Sequence, residues 1–349
     1  MDTLYDYYKK LGWKYDDWLS SMQPQTIQRV FQAYGIEPHK IDPPQGGYRN
    51  KVYTGHFNQT QSANVIVYKN EPEILTKIRQ ANRLSNHLHT KGLYVRHSLD
   101  NRIVTLASAN TTQYAALYNC LSGSTIAWEA YTQDHLKVLG FAMATMHLAA
   151  ADLKRKDEPY IQDVCFKQAK SMQRYFADDG VVRAMNTKLK LHVSKSVLSM
   201  LHKLAQVSQD DSQLLHMDFV RGNVLFQNTL DKDNNWVVGK VQVSGIIDFE
   251  KVAYGNPVYD IARTLAFLLV DSRYKTNIQI YKYFLDSGYI KRGKGVRPNT
   301  GEIAKLVKYF LMYDYYKFLK HSPYESLKEN LHFRRTVALL LQHGLLEKA

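Results

Sequence analysis

Three residues stand at a spacing that suits phosphoryl transfer. His216, Asp218 and Asn223 lie in the run Leu214-Leu215-His216-Met217-Asp218-Phe219-Val220-Arg221-Gly222-Asn223-Val224-Leu225-Phe226. The aspartate can accept or orient the proton of an attacking hydroxyl, and the asparagine five residues on can hold a metal on nucleotide phosphates. The same residue types also make an ordinary polar turn between two buried segments. The next two segments of the chain weigh against that. Val241 to Ile247 reads as a strand and delivers Asp248-Phe249-Glu250 at its end. A carboxylate at the tip of a buried strand, shortly after such a loop, is where a second metal ligand is needed. Gly255-Asn256-Pro257 and Asp260-Ile261-Ala262 then open an apolar helix through Val270.

In this order and spacing, the pieces His216-Met217-Asp218 to Asn223, Ile247 to Glu250 and Gly255 to Ala262 carry a resemblance. The chain resembles the aminoglycoside phosphotransferase and choline/ethanolamine kinase superfamily, which includes a homoserine kinase branch. The resemblance implies an α+β, bilobal, protein-kinase-like fold with a small β-rich N-lobe and a larger, mostly helical C-lobe. It implies an N-terminal helical extension over 1–35, an N-lobe over 36–118, a hinge over 119–123 and a C-lobe over 124–349. It also implies an ATP- and Mg2+-dependent transfer of the γ-phosphoryl group to a hydroxyl of a small molecule: an amino alcohol, amino acid or aminoglycoside. Asp218 then serves as the base and Asn223 and Asp248 as metal ligands. Lys69 contacts the phosphates under a turn at Gly46-Gly47. Asn119 and Leu121 offer backbone to the adenine, and His216 and Asp260 brace the catalytic loop. The glycine usual after the histidine is Met217 here.

Other elements must position this loop. Ile27, Val30, Phe31 and Tyr34 form an apolar stripe ended by Gly35, and an earlier stripe runs from Leu4 to Met22. Both are expected to cover the small lobe, with a dimer contact as the other use of such stripes. Gly46 and Gly47 precede Val65 to Lys69, a β-rich strand ending in lysine, and then a helix with Pro72 near its start. That helix should present a glutamate to the lysine, but the expected place falls at Ala81 or Asn82, neither of them acidic. Asn82 could substitute as an uncharged acceptor. Arg102 to Leu106 and Tyr114 to Tyr118 read as strands. Helices are expected from Trp128, to about Phe176, from about Asn186 to Val207, and around Tyr281 to Leu285. Tyr309 to Leu319 is apolar on nearly every face and so buried.

Within that helix Asp314 is the only acid. Burial requires a partner, either Lys317 three residues on or, with Tyr313, Tyr315 and Tyr316 around it, a substrate cation. Arg221, inside the catalytic loop, could steer a phosphate or an anionic substrate.

Composition bounds the rest. The 349 residues are 45% hydrophobic, enough for two lobes. A net charge of +14 suits anionic partners, but no zinc, RRM-like or helix-turn-helix signature accompanies it, so no nucleic acid is expected. Cys120 and Cys165 match no metal spacing and read as free thiols in a reducing cytoplasm. No apolar run reaches membrane-span length, and the expected assembly is a monomer or homodimer. The competing function is a pseudokinase, a nucleotide- or partner-binding module, for which the missing helix glutamate speaks. The joint retention of Asp218, Asn223 and Asp248 speaks against it.

Overall fold

The structure is a computed structural model, described for residues 24–46, 50–58, 61–107, 112–230, 236–272, 274–293 and 297–349. The stripe from Leu4 to Met22 and the turn residue Gly47 lie outside the described residues. The chain divides into two compact units between Ser122 and Gly123.

The first unit is built on an antiparallel sheet. Its strands are β1 (Lys40–Ile41), β2 (Gln45–Gly46), β3 (Lys51–His56), β4 (Ser62–Tyr68), β5 (Val104–Ala107) and β6 (Thr112–Asn119). Their order is β1-β3-β4-β6-β5, with β2 also paired to β3. Strand side chains alternate between faces, and each face has its own cover. On one, Val65, Val67, Ala115 and Leu117 pack with Ile27, Val30, Phe31 and Tyr34 of α1 (Pro24–Ala33), the stripe read from the sequence. Gly35 ends that helix at φ 73°, a conformation that costs glycine little. On the other face, Ile66, Tyr68, Ala116 and Tyr118 pack with Ile74 and Ile78 of α2 (Ile74–Thr90).

The second unit runs α3 (Gln133–Ala150), α4 (Ile161–Phe176), α5 (Asp179–Ala184), β7 (Leu191–His192), α6 (Lys195–Ala205), β8 (Gln213–Leu215), β9 (Val224–Leu230), β10 (Trp236–Ile246), β11 (Ala253–Gly255), α7 (Val258–Asp271), α8 (Asn277–Ile280), α9 (Thr300–His321), α10 (Tyr324–Leu327), α11 (Leu331–Gln342) and β12 (Glu347–Lys348). The strands pair two by two: β9 with β10, β8 with β11, β7 with β12. As its pattern predicts, α9 is buried from Ile303 to Leu319 on several faces. It packs against α7, whose residues from Val258 to Ala266 are all buried. A wide-turn helix over Tyr281–Ile290 crosses α3 at two glycines. A Cβ on Gly140 would lie 2.0 Å from the Phe284 carbonyl oxygen, and one on Gly288 would lie 2.6 Å from that of Lys137.

One expected helix is broken. From Asn186 to Val207 the chain forms the end of a wide turn, then Lys190 at φ 57°, then β7, and becomes helical only in α6. Pairing of Leu191 and His192 with Lys348 and Glu347 supplies backbone partners that a continuous helix would not need, and local periodicity cannot report it. The helix expected from Trp128 begins at Gln133, capped by Thr132, after a short 3-10 turn. No helix of the described residues is long and apolar enough to cross a membrane.

Candidate active site

Two pairs of short strands bring the motif residues together. Strand β8 leads into His216 and pairs with β11, just after Asp248. Strand β9 leaves Asn223 and pairs with β10, which ends just before Asp248. The pairing continues one step further, because the Ile247 amide donates to the Asn223 carbonyl at 2.9 Å. Asn223 and Asp248 are thereby fixed next to each other by backbone bonds.

Asp260, at the start of α7 and fully buried, holds the loop. Its Oδ2 accepts the His216 amide at 2.8 Å and its Oδ1 the Met217 amide at 2.6 Å. His147 of α3 links the same carboxylate, 3.1 Å from its Nε2, to the Tyr289 hydroxyl, 2.8 Å from its Nδ1. The ring of His216 has a defined tautomer. Its Nδ1 accepts the Asp218 amide at 3.1 Å, so Nε2 carries the proton and donates to the Ile247 carbonyl at 3.1 Å. Thr264 of α7 adds a bond from its hydroxyl to the Phe219 carbonyl at 2.9 Å. His216 and Asp260 therefore occupy bracing positions.

Met217 stands at φ 58° and Asp248 at φ 65°. A left-handed backbone costs a residue with a Cβ about 1–2 kcal/mol, less for aspartate than for methionine. The first value explains why glycine suits the place after the histidine. The Asp260 bond to the Met217 amide holds the strained turn.

Asp218 is 8% exposed. Its Oδ2 lies 2.8 Å from the Lys251 ammonium and 3.1 Å from the Asn223 amide nitrogen, which also donates to the Asp218 carbonyl at 2.9 Å. Burial alone would raise the Asp218 pKa, but the Lys251 charge and hydrogen bond outweigh it and hold the carboxyl below its ordinary value. Asp248 goes the other way. Burial raises its pKa first, and the nearby Asp218 charge raises it further. The pair fits a divalent metal. Asn223 spends its amide nitrogen on Asp218 and keeps its oxygen, and Asp248 is an exposed carboxylate whose charge the surrounding protein and the nearby Asp218 disfavour. Among the described residues no group of three or more His, Cys, Asp or Glu forms a metal cage. A magnesium ion that shares nucleotide phosphates needs only one or two protein oxygens.

Asp314 is 5% exposed and doubly paired. Arg263 binds it with both guanidinium nitrogens, at 2.8 and 3.0 Å, and Lys317 lies at 3.2 Å. The Lys317 pairing expected from helical spacing is present. The alternative was a carboxylate that receives a substrate cation; Arg263 and Lys317 already supply two positive charges to it. Burial would raise this pKa, but the Arg263 charge first, then Lys317, hold it far below the usual range. Arg221 points toward Glu129, at 3.9 Å.

In the first unit, Gly46 ends β2 opposite Lys51. Lys69 follows β4 with an exposed side chain, and its amide donates to the Asn50 side chain at 3.2 Å. The α2 face of β4 presents Tyr68 instead. The Tyr68 and Tyr118 hydroxyls lie 2.6 Å apart, and Tyr118 donates to Asn82 Oδ1 at 2.8 Å. Asn82 is thus an uncharged acceptor, as expected, but for a tyrosine rather than Lys69. No buried residue of α2 is acidic. Asn119 clamps the β6 end to the preceding segment through His97 and Val95, and Leu121 is partly exposed.

Sequence reasoning missed Lys251, Arg263 and Thr264. Lys251 stands three residues after Asp248, yet nothing in local pattern says that its ammonium folds back to Asp218. Arg263 and Thr264 sit inside an apolar helix, where a buried arginine among aliphatics was the available signal.

The sequence profile described as the phosphotransferase enzyme family matches residues 40–279. A homoserine kinase of Neisseria meningitidis serogroup B is 28% identical over 228 residues, 63% of this chain and 62% of that protein. The match thus spans less than two thirds of the relative's own length. Among solved structures, a microcompartment-associated aminopropanol kinase superposes with a TM-score of 0.66 over 94% of this chain and 100% of its own, at 15% identity. An amicoumacin kinase solved with AMP-PNP and Ca2+ superposes with a TM-score of 0.65 over 93% of this chain and 96% of its own, at 13% identity. At these identities the likeness to solved structures shows the fold alone, which is protein-kinase-like. With most of its length matched by the profile and the loop, strand and helix assembled as above, the chain belongs to the phosphotransferase enzyme family.

Proposed function

We propose that this enzyme transfers the γ-phosphoryl group of ATP to a small-molecule hydroxyl, with Asp218 as the base. One observation carries the reading: Asp218 is kept ionised by Lys251 while both Lys251 and Asn223 engage the same oxygen, Oδ2. No hydrogen bond to Oδ1 is seen among the described residues, so Oδ1 is the atom for the acceptor hydroxyl. The hydroxyl oxygen forms a bond to the γ-phosphorus as the bond to the bridging β,γ-oxygen breaks, the hydroxyl proton passes to Oδ1, and ADP leaves. A carboxylate of lowered pKa is a weak base, which suits a loose phosphoryl transition state where orientation matters more than early proton removal.

Asn223 Oδ1 and Asp248 would hold Mg2+, which when bound neutralises charge on the phosphates. The oxygen-only donor set supports this, as does the unfavourable Asp248 charge without a cation. His216 and Asp260 keep the loop in shape. Gly46, Lys69, Asn119 and Leu121 are the residues proposed for the nucleotide, and strand alternation adds the Tyr68 hydroxyl on the α2 face. The test is Asp218→Asn, assayed by coupled ATP turnover on amino alcohols, amino acids, aminoglycosides and sugars. The variant should lose on the order of 1,000-fold in kcat while binding ATP normally, since positioned bases contribute roughly 100- to 10,000-fold. Turnover equal to wild type would overturn the assignment.

A further inference from the structure

A hydroxyl, an imidazole and a carboxylate stand in line on the sheet of the first unit, and none of them is assigned to phosphotransfer. Ser62 opens β4 and is the register partner of His56, the last residue of β3. The pair is of the non-hydrogen-bonded kind, because the next residue, Phe57, donates its amide across to this strand, onto the Gln61 carbonyl at 3.0 Å. In such a pair the two side chains stand close on one face. His56 Nδ1 lies 2.9 Å from the Ser62 hydroxyl, and His56 Nε2 lies 2.7 Å from Asp42 Oδ2. Asp42 follows β1, whose Lys40 is the register partner of His56 on its other side. Lys40 holds the second carboxylate oxygen, Oδ1, at 2.8 Å.

These contacts settle where the protons are. A carboxylate only accepts, so the proton of the His56 ring sits on Nε2, toward Asp42. Nδ1 then presents its lone pair to Ser62, and the Ser62 hydroxyl is the donor. The His56 bond first, and then Lys40, hold the Asp42 carboxyl below its ordinary value, which keeps it ionised. Hydroxyl, lone pair, N–H and carboxylate in this order can take the proton from an attacking serine and stabilise the imidazolium that results. Solvent reaches the line: the His56 side chain is 30% exposed, that of Asp42 32%, and Ser62 is half-buried.

Two further features fit a reaction at Ser62. Backbone groups alternate along a strand, so with Gln61 bonded toward β3 the Ser62 amide points the other way, toward β6. Pairing with β6 starts only at Ala63 with Asn119, and no hydrogen bond to the Ser62 amide is seen among the described residues. The amide of a nucleophile is well placed to meet the oxyanion that its own attack creates. Ser62 also lines a cavity of about 400 Å3, together with Tyr34, Ile36, Phe57, Ala63 and Leu117. That wall is mostly apolar, as a site for an acyl chain must be.

We propose that Ser62, His56 and Asp42 form a second catalytic site, which hydrolyses carboxylic esters that carry a short apolar acyl group. Ser62 Oγ bonds to the ester carbonyl carbon while its proton passes to His56 Nδ1, and the Ser62 amide meets the oxyanion. The bond from that carbon to the alcohol oxygen then breaks, and Nδ1 returns the proton to the departing oxygen. Water attacks the acyl-serine by the same route and releases the carboxylic acid and the free hydroxyl. Asp42 acts through His56 as a positioning residue. The site shares no residue with those assigned to phosphotransfer, and it does not depend on that reading.

The experiment uses the full chain, with p-nitrophenyl butyrate as ester and a fluorophosphonate as probe for an activated serine. Wild type should take up one phosphonyl group, located on Ser62 by peptide mass spectrometry. Its kcat/KM for the ester should exceed that of Ser62→Ala or His56→Gln on the order of 100-fold, the scale of a positioned base. Asp42→Asn should lower kcat and slow the labelling, with KM for the ester unchanged. A brace of the hairpin alone would change the melting temperature and neither rate. Melting followed by circular dichroism shows that each variant is folded, and labelling of wild type tests the site even where a variant is not. A folded wild type without a phosphonyl group on Ser62, or ester hydrolysis equal in wild type and Ser62→Ala, would overturn the proposal. Neither result bears on phosphotransfer, which Asp218→Asn tests separately.

Discussion

Asp260→Asn probes the brace on which the catalytic loop depends. The wild-type carboxylate accepts two backbone amides, one on each oxygen, and His147 on one of them, with no solvent access. Asparagine offers one acceptor oxygen and one NH2. At least one amide, that of His216 or Met217, must then face a donor and stay unpaired. The loss is one charge-assisted bond and one buried unsatisfied N–H, together about 2–4 kcal/mol. Asp260→Ala strands both amides and should cost on the order of 5 kcal/mol. The second consequence is local. Met217 keeps its left-handed turn only while its amide is held, so the loop should relax and Asp218 should swing off position. We expect kcat to fall at least tenfold in Asp260→Asn. Met217→Gly in the same chain should recover part of that fall, because glycine adopts the turn without support. Urea unfolding followed by circular dichroism measures the first effect and acceptor turnover the second. Asp260→Asn with stability within about 0.5 kcal/mol of wild type, or with no rescue by Met217→Gly, would refute the reasoning.

Two other outcomes are expected at the site. Asp248 has a raised pKa, so as pH climbs from its ordinary value of 3.8 the unfolded chain loses the proton first and the folded state is progressively penalised, with the penalty complete above the folded pKa. Asp248→Asn should therefore melt higher than wild type at neutral pH without nucleotide, melt alike below pH 3.8, and still lose on the order of 100-fold in activity. A lower melting temperature at neutral pH would contradict this. Tyr68→Phe and Lys69→Ala decide which side chain serves the nucleotide. Loss of one hydrogen bond of about 1 kcal/mol is roughly fivefold in KM for ATP, and Tyr68→Phe should show it more than Lys69→Ala, with the reverse order refuting the assignment from strand alternation.

The sequence alone determined the parts whose information is local. The spacing of His216, Asp218 and Asn223, the strand running into Asp248 and the helix opening at Asp260 were all legible, because side-chain period and turn chemistry are written in neighbouring residues. So were the stripe over Ile27 to Tyr34, the β4 and β6 strands and the buried α9. What the tertiary structure decided is the set of interactions between residues distant in sequence. The Lys251 ammonium reaches back 33 positions to Asp218, and Arg263 meets Asp314 across 51. The sequence reading left Asp314 between Lys317 and a substrate cation because the competing partner lies on another helix. Similarly, β7 interrupts an expected helix because its partner is β12, at the far end of the chain. Lys69 reads as the phosphate contact because it closes a strand, and the structure adds that the pleat turns Tyr68, one residue earlier, toward α2. Local pattern fixes which face a side chain takes. Which charge waits on that face depends on packing of remote segments, and there the charge balance beside Asp218 was settled.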